Sequence, residues 1–237
     1  MRALLLGAGL GTRLRPLADD RPKCMVELVG KPVLLRNVEW LRSQGIRELA
    51  VNLHYLPGTI RDFFGDGSRF GVQMQYSFEP QLLGTAGAVR AAANLLLPAP
   101  FLVVYADNLI NADLDRMRRE HKMARAILTV ALFHRDDTSQ SGVVTLDAND
   151  RLTSFAEKTG RVTSGWVNAG LLVCEQRVLN YIPNDGAADF GHDVIPRMIE
   201  SGEMVCGYRM LPHETLRWID TVEDFRRTNA ELSDASH

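Results

Sequence analysis

Short apolar runs alternate with amphipathic stretches along the first half of this 237-residue chain, and no other feature restricts the fold as much. Ala3–Leu6, Leu49–Leu53, Val72–Phe78 and Phe101–Tyr105 have the length and composition of strands. Between them, Val33–Gln44 carries Val33, Leu34, Val38 and Leu41 near helical spacing, and Gly45 stands where a cap is needed. Ile60–Phe64 reads as a short helix before the turn cluster Gly65–Gly71, and Thr85–Leu96 as an Ala-rich helix stopped by Pro98. Such an alternation predicts an α/β fold: a mostly parallel mixed sheet with helices on both faces.

The second half differs. Leu114–Met123 reads as a charged helix and Ala126–Phe133 as a strand. Val143–Leu146, Leu152–Ala156 and Trp166–Val173 are strand-like without long helices between them, and Asp147–Arg151 has the composition of a hairpin turn. A smaller mixed-strand region over one edge of the sheet is expected there, then helices at Asp193–Ser201 and Thr221–Leu232. No linker interrupts the chain, so residues 1–237 are expected to form a single domain.

Composition excludes several classes. A net charge of −2 offers no basic field to a nucleic acid. The apolar start, MRALLLGAG, is too short for a secretory segment, and no run is long enough to span a membrane, so a cytoplasmic protein without a membrane partner is expected. Cys24, Cys174 and Cys206 stand apart without zinc spacing and read as small buried residues in a reducing compartment.

The chemistry begins where the first strand ends, at Leu6. Gly7-Ala8-Gly9-Leu10-Gly11-Thr12-Arg13 lets the backbone turn tightly and bring N–H groups to phosphate oxygens. Arg13, Arg15 and Lys23 follow within one loop. Guanidinium grips phosphate bidentately, and ammonium acts as a point charge. Together they point to a polyphosphate ligand; a tight turn with solvated basic residues is the plain alternative. A Walker loop would end Gly-Lys-Ser/Thr, whereas this one ends Gly-Thr-Arg. The dinucleotide fingerprint needs glycine at Thr12. Glu27 lies about twenty residues on, but a Pro-containing loop (Arg21–Met25) precedes it where a helix is required, which disfavours an NAD oxidoreductase.

Gly7–Pro32, GAGLGTRLRPLADDRPKCMVELVGKP, resembles the signature of sugar-1-phosphate nucleotidyltransferases. That signature reads G-x-G-T-R-L-x-P, then a lysine, then P-V-x-x-K-P; Glu27 replaces the proline here. Gly65–Val89 is similar to the segment that encloses the nucleobase. Tyr105–Asn108 resembles the Gly-Asp at the end of a core strand, with Ala106 for the glycine. Ser141–Lys158 resembles the stretch with Gly-Val-Val and a Glu-Lys pair, and Val167–Val173 the Asn-Ala-Gly strand. Trp218–Phe225 is similar to W-x-D-x-G-T-x-E-D without its Gly-Thr step. The likeness is to mannose-1-phosphate guanylyltransferase-like members. It implies a Rossmann-like nucleotide-diphospho-sugar transferase fold, with a nucleotide-binding part at about 1–125 and a sugar-phosphate-binding part at about 126–220. With nothing after residue 237, no C-terminal left-handed β-helix is expected, and a homodimer is the expected assembly.

Carried over residue by residue, the resemblance implies Arg13 and Lys23 as catalytic cations. It implies Leu6, Gly7, Ala8, Gly9, Gly11, Thr12, Glu79, Gly84, Thr85 and Ala86 at the nucleotide. It implies Asn108, Gly142, Glu157, Lys158, Asn168 and Asp193 at the sugar phosphate, and Asp107 and Asp220 on Mg²⁺. The residues themselves leave alternatives. Asp107 lies past an apolar strand, where ligands collect and an acid suits a hard cation, or it caps a helix. Asp220 equally could cap the helix that follows. Glu157 and Lys158 could be a solvated pair, Asn168 a strand-edge turn, and Asp193 an exposed helix acid. Glu79 accepts hydrogen bonds without donating any, which suits guanine's adjacent donors better than uracil or thymine and tilts the reading to GTP.

The expected reaction is in-line attack of a sugar 1-phosphate oxygen on the α-phosphorus of a nucleoside triphosphate (NTP), releasing pyrophosphate. The nucleophile is already anionic, so positioning and charge neutralisation carry catalysis. A uridylyl-, thymidylyl- or cytidylyltransferase acting on a sugar or small alcohol phosphate is the alternative within the class. A non-catalytic nucleotide-sugar-binding regulatory protein is the alternative outside it, and would be expected to have lost Arg13, Lys23 or an acid.

Overall fold

The computed structural model describes residues 1–98, 100–139, 141–156 and 163–234. In chain order its elements are β1 (Arg2–Leu6), β2 (Glu27–Leu28), β3 (Lys31–Pro32), α1 (Val33–Ser43), β4 (Glu48–Leu53), α2 (Pro57–Phe64), β5 (Gln73–Phe78), α3 (Gly84–Ala91), α4 (Ala93–Leu96), β6 (Phe101–Tyr105), β7 (Asn108–Asn111), α5 (Leu114–Ala124), β8 (Leu128–Arg135), β9 (Val143–Leu146), β10 (Leu152–Ala156), β11 (Gly165–Cys174), α6 (Ile195–Glu200), β12 (Val205–Arg209), β13 (Thr215–Trp218) and α7 (Val222–Asp234).

The centre of the sheet runs β5-β4-β1-β6, with every neighbouring pair parallel. Successive side chains on a strand point to opposite faces, and both faces here are apolar, which is why these strands read as unbroken hydrophobic runs. Ala3, Leu5, Leu102 and Val104 face one core, shared with Leu34, Val38 and Leu41 of α1 and Ile60 of α2. Leu4, Phe101 and Val103 face the other, shared with Ala88 and Val89 of α3 and Met198 of α6. Removing one such Leu side chain, as in Leu4→Ala, costs about 2–5 kcal/mol at a fully buried site. Helix α1 ends as its sequence suggests. Gly45 has φ +79° and its N–H reaches Arg42 O at 3.0 Å, while Ile46 N–H reaches Leu41 O at 2.9 Å. Glycine satisfies the last carbonyls here without steric cost.

Three elements differ from expectation. The mixed strands extend the main sheet and do not cover its edge: β11 runs antiparallel to β6, β8 pairs with β11, and β12 pairs with β8, within one nine-stranded sheet. The Ala-rich helix breaks at Ala92 into α3 and α4. The helix expected from Asp193 begins earlier as a π turn, Phe190–Val194, with Asp189 capping it.

Two small features deliver site residues. β7 and β13 form an antiparallel ribbon in which Trp218 lies opposite Asn108. A third cluster, Leu14, Ala18, Val26, Leu28, Val33 and Ile219, packs against Phe225 and Leu232 and fastens the Lys23 segment to α7. No helix among the described residues is long and apolar enough to cross a membrane.

Candidate active site

The carboxyl ends of β1, β4, β5 and β6 open into a cleft, where an open parallel sheet collects ligands. Two cavities meet there. One, about 290 Å³, is lined by Leu6, Ala8, Gly9, Asn52, Glu79, Leu82, Gly84, Thr85, Tyr105, Asp107 and Asp189. The other, about 250 Å³, is lined by Arg13, Thr85, Tyr105, Asp107, Asn108, Ser141, Gly142, Asn168, Asp189, Gly191, Trp218 and Asp220. Thr85, Tyr105, Asp107 and Asp189 border both, so Asp107 stands where the two halves join.

A charge cluster occupies this junction. Lys23 Nζ donates to Asp107 Oδ2 at 2.7 Å and to Asp220 Oδ1 at 2.5 Å, and Arg13 Nη2 lies 3.4 Å from Asp220 Oδ2. The ribbon register explains the convergence: Asp107 directly precedes Asn108, and Asp220 follows Trp218 by two residues. Lys23 is buried to 8% exposure. Burial alone pulls its ammonium pKa down, but Asp107 and then Asp220 outweigh it, and the net shift is upward. Lys23 is therefore a fixed cation.

The glycine loop is shaped to this lysine. Gly11 has φ +63°, and a Cβ there would sit 2.9 Å from Lys23 Cβ, so only glycine permits this approach. Gly9 faces open space on the cavity side. Gly7 points its N–H away, to Asn52 Oδ1 at 2.7 Å. Gly7, Gly11, Thr12 and Ala86 do not line either cavity; Gly7 and Ala86 are buried beside them and Thr12 is exposed. Ala86 N–H reaches Ala188 O at 2.9 Å, docking α3 onto the loop that carries Asp189.

On the side expected to take the sugar phosphate, Asn108, Gly142 and Asn168 line the cavity. Asn168 N–H reaches Gly142 O at 3.1 Å, and its Oδ1 accepts Gly170 N–H at 2.9 Å. Asp193, expected at the sugar phosphate, lies on the π turn Phe190–Val194. It lines neither cavity; its Oδ2 accepts Asp189 N–H at 2.7 Å across the π turn, and it is exposed. Asp189 faces the cleft in its place, held by Thr85 Oγ1 at 2.7 Å. Glu157 and Lys158 lie outside the described residues. Asn52, Tyr105, Ser141, Asp189 and Trp218 were absent from the sequence expectation. The signal for Asp189 was a second acid four residues before Asp193; a strand asparagine such as Asn52 carries no signal.

Glu79 lines the first cavity from its buried floor. It is 1% exposed, and its two oxygens accept from Asn52 Nδ2 at 2.8 Å and Leu83 N–H at 3.1 Å.

Asp107 and Asp220 suit a divalent cation. Their oxygens are hard donors that already converge on a single positive atom, Lys23 Nζ. No cluster of three or more His, Cys, Asp or Glu stands ready among the described residues. Mg²⁺ needs no such cage: it is commonly held by one or two carboxylates plus substrate phosphates. A larger cavity, about 730 Å³, opens elsewhere beside Arg118, Lys122 and Arg125 and contains none of these residues.

An α/β fold with a glycine loop, cations and paired acids at the carboxyl ends of parallel strands is suited to a phosphate-bearing ligand. The chain belongs to the nucleotidyl transferase family, whose pattern matches residues 2–234. It is 33% identical to mannose-1-phosphate guanylyltransferase of Mycobacterium tuberculosis over 97% of this chain and 64% of that one. It is 35% identical to UTP–glucose-1-phosphate uridylyltransferase of a Synechocystis strain over 85% of this chain and 56% of that one. The chain thus spans 56% to 64% of the length of these two relatives. Its fold matches HddC from Yersinia pseudotuberculosis, solved as a complex with GMP-PN, at a TM-score of 0.83, covering 98% of this chain and 99% of that one at 24% identity.

Proposed function

We propose that this chain transfers a nucleotidyl group from a nucleoside triphosphate to a sugar 1-phosphate. The observation that carries this reading is the Lys23–Asp107–Asp220 cluster at the junction of the two cavities. An acceptor phosphate oxygen forms a bond to the α-phosphorus, and the bond from that phosphorus to the α–β bridging oxygen breaks. The electron pair leaves on pyrophosphate. Both reactants are anions, so neutralising charge at fixed positions lowers the barrier most. Lys23 supplies a cation at the reacting phosphates, and Arg13, more exposed, supplies one for the leaving pyrophosphate. Asp107 and Asp220 would hold Mg²⁺, which offsets phosphate charge when bound. Asn108, Asn168 and Asp189 offer hydrogen bonds to sugar hydroxyls.

GTP and UTP are the donors to test first, since the two relatives above carry a guanylyl and a uridylyl name. The protein with Mg²⁺, each NTP, and mannose or glucose 1-phosphate should release pyrophosphate from at least one pairing. Binding without release across a full panel of NTPs and phosphosugars would replace catalysis with a regulatory, nucleotide-sugar-binding role.

A further inference from the structure

A short buried chain of hydrogen bonds crosses the floor of the cleft. Asn52, the penultimate residue of β4, is 3% exposed. Its Oδ1 accepts Gly7 N–H at 2.7 Å, and its Nδ2 donates to Glu79 Oε1 at 2.8 Å. Glu79 Oε2 then accepts Leu83 N–H at 3.1 Å, one residue before the Gly84 turn. The backbone of Glu79 is fixed as well: its N–H reaches Leu53 O at 2.8 Å, and its carbonyl meets His54 Nδ1 at 2.8 Å. The first glycine of the phosphate loop is thereby tied to the turn opening α3.

The polarity of this chain is forced. Gly7 N–H and Leu83 N–H are donors at its two ends. A carboxylate is acceptor-only, and an amide has one acceptor and one donor side. With Asn52 and Glu79 in place, every junction pairs a donor with an acceptor. In Asn52→Asp alone, two carboxylates face each other without a proton. In Glu79→Gln alone, one junction must set N–H against N–H, however the amides turn. With both substitutions together, every junction is matched again. The introduced carboxylate would accept from Gly7 N–H and from the introduced amide, whose oxygen would accept from Leu83 N–H.

Resting on the nucleotide cleft proposed above, we infer that Asn52 is a positioning residue. It couples the glycine loop to the Gly84 turn through Glu79, and the Glu79 carboxylate serves this link rather than reading the base. Each carboxylate oxygen already accepts one hydrogen bond from the chain, and Glu79 is 1% exposed at the cavity wall. Choice of base then falls to other groups.

Four proteins test this: wild type, Asn52→Asp, Glu79→Gln and the double variant. Hydrogen–deuterium exchange reads the two tied segments, residues 7–13 and 83–88, without needing turnover. Calorimetry with GTP and with UTP in Mg²⁺ reads affinity. Each single variant should speed exchange in both segments and weaken binding of the preferred nucleotide about tenfold, as expected for one unmatched buried junction. The double variant should return exchange and affinity to within about threefold of wild type, a small residue for a matched network. The GTP-to-UTP preference should stay the same throughout. Exchange that rises in one segment only, or a double variant that stays loosened or unfolded, overturns the link. A double variant with a changed base preference returns Glu79 to the base. Wild type that binds nucleotide without releasing pyrophosphate defeats the proposed reaction and leaves this link standing; wild type that binds none of a full panel of NTPs defeats both.

Discussion

The two sides of the cleft hold their charged groups in opposite ways. On the phosphate side, Lys23, Arg13, Asp107 and Asp220 pair with one another, side chain to side chain, across three separate segments. On the base side, Glu79 is held by an amide and a backbone N–H, and no cation among the described residues pairs with it. Ion pairs among side chains can be exchanged when an anionic ligand brings competing oxygens. A carboxylate locked between backbone and amide cannot be exchanged without leaving buried donors unmet. The Lys23–Asp107–Asp220 side can therefore exchange ion-pair partners while its cations stay in place, and the Asn52–Glu79 side keeps its partners.

Breaking the phosphate side should produce the largest effects. Lys23→Ala should lower kcat on the order of 10²- to 10³-fold, the scale of losing one preorganised charge contact, with the circular dichroism spectrum unchanged. Turnover like wild type would remove Lys23 from the mechanism. Asp107→Asn should abolish Mg²⁺-dependent turnover; activity that kept its Mg²⁺ dependence would place the metal elsewhere.

Disturbing the fixed side should cost stability first. Gly84 has φ +72°, and a Cβ there would lie 2.4 Å from Ala188 O, a backbone atom that cannot swing aside. Gly84→Ala should destabilise the fold by about 1–3 kcal/mol, the usual range for overpacking. At about 2–4 °C per kcal/mol for a chain of this size, a thermal melt should show a clear drop. A melt within one degree, on the same scale, would mean the Gly84 turn is not fixed.

The smallest effect concerns Cys24, beneath the glycine loop with Sγ 3.6 Å from Gly7 O. Burial, with Asp107 adding to it, pushes its thiol from 9.0 up to about 12. A raised pKa means the stability gained from the neutral thiol is complete below its ordinary value and is lost as pH rises toward the folded one. Alkylation by iodoacetamide at pH 8 should be negligible in the native protein and complete in denaturant. Rapid native alkylation would show that the loop opens.

The same contrast explains what can be read from the chain without its structure. The phosphate side is legible because its groups sit in dense local patterns: Gly7 to Lys23 lies within one loop, and Asp107 directly follows a run of buried apolar residues. Convergence of Asp220 on Asp107 depends on the β7–β13 register, which no local pattern encodes. The fixed side is less legible. Glu79 alone suggests a guanine reader, because its partner Asn52 lies 27 residues away inside an ordinary strand. A regular helix over the same stretch would favour Asp193 over Asp189, but the chain makes a π turn there. The mixed strands are individually legible, but their joining of the main sheet follows from antiparallel pairing of β11 with β6 and β8.

The central claim is that the Lys23–Asp107–Asp220 junction is where bonds to an α-phosphorus are made and broken. The most direct measurement runs the reaction backwards. The protein is incubated with Mg²⁺, radiolabelled pyrophosphate, and GDP-mannose or UDP-glucose. Label should appear in GTP or UTP with the wild type and fall to background with Lys23→Ala. Label in no NTP across a full panel of nucleotide sugars, or equal label with the variant, would contradict the account.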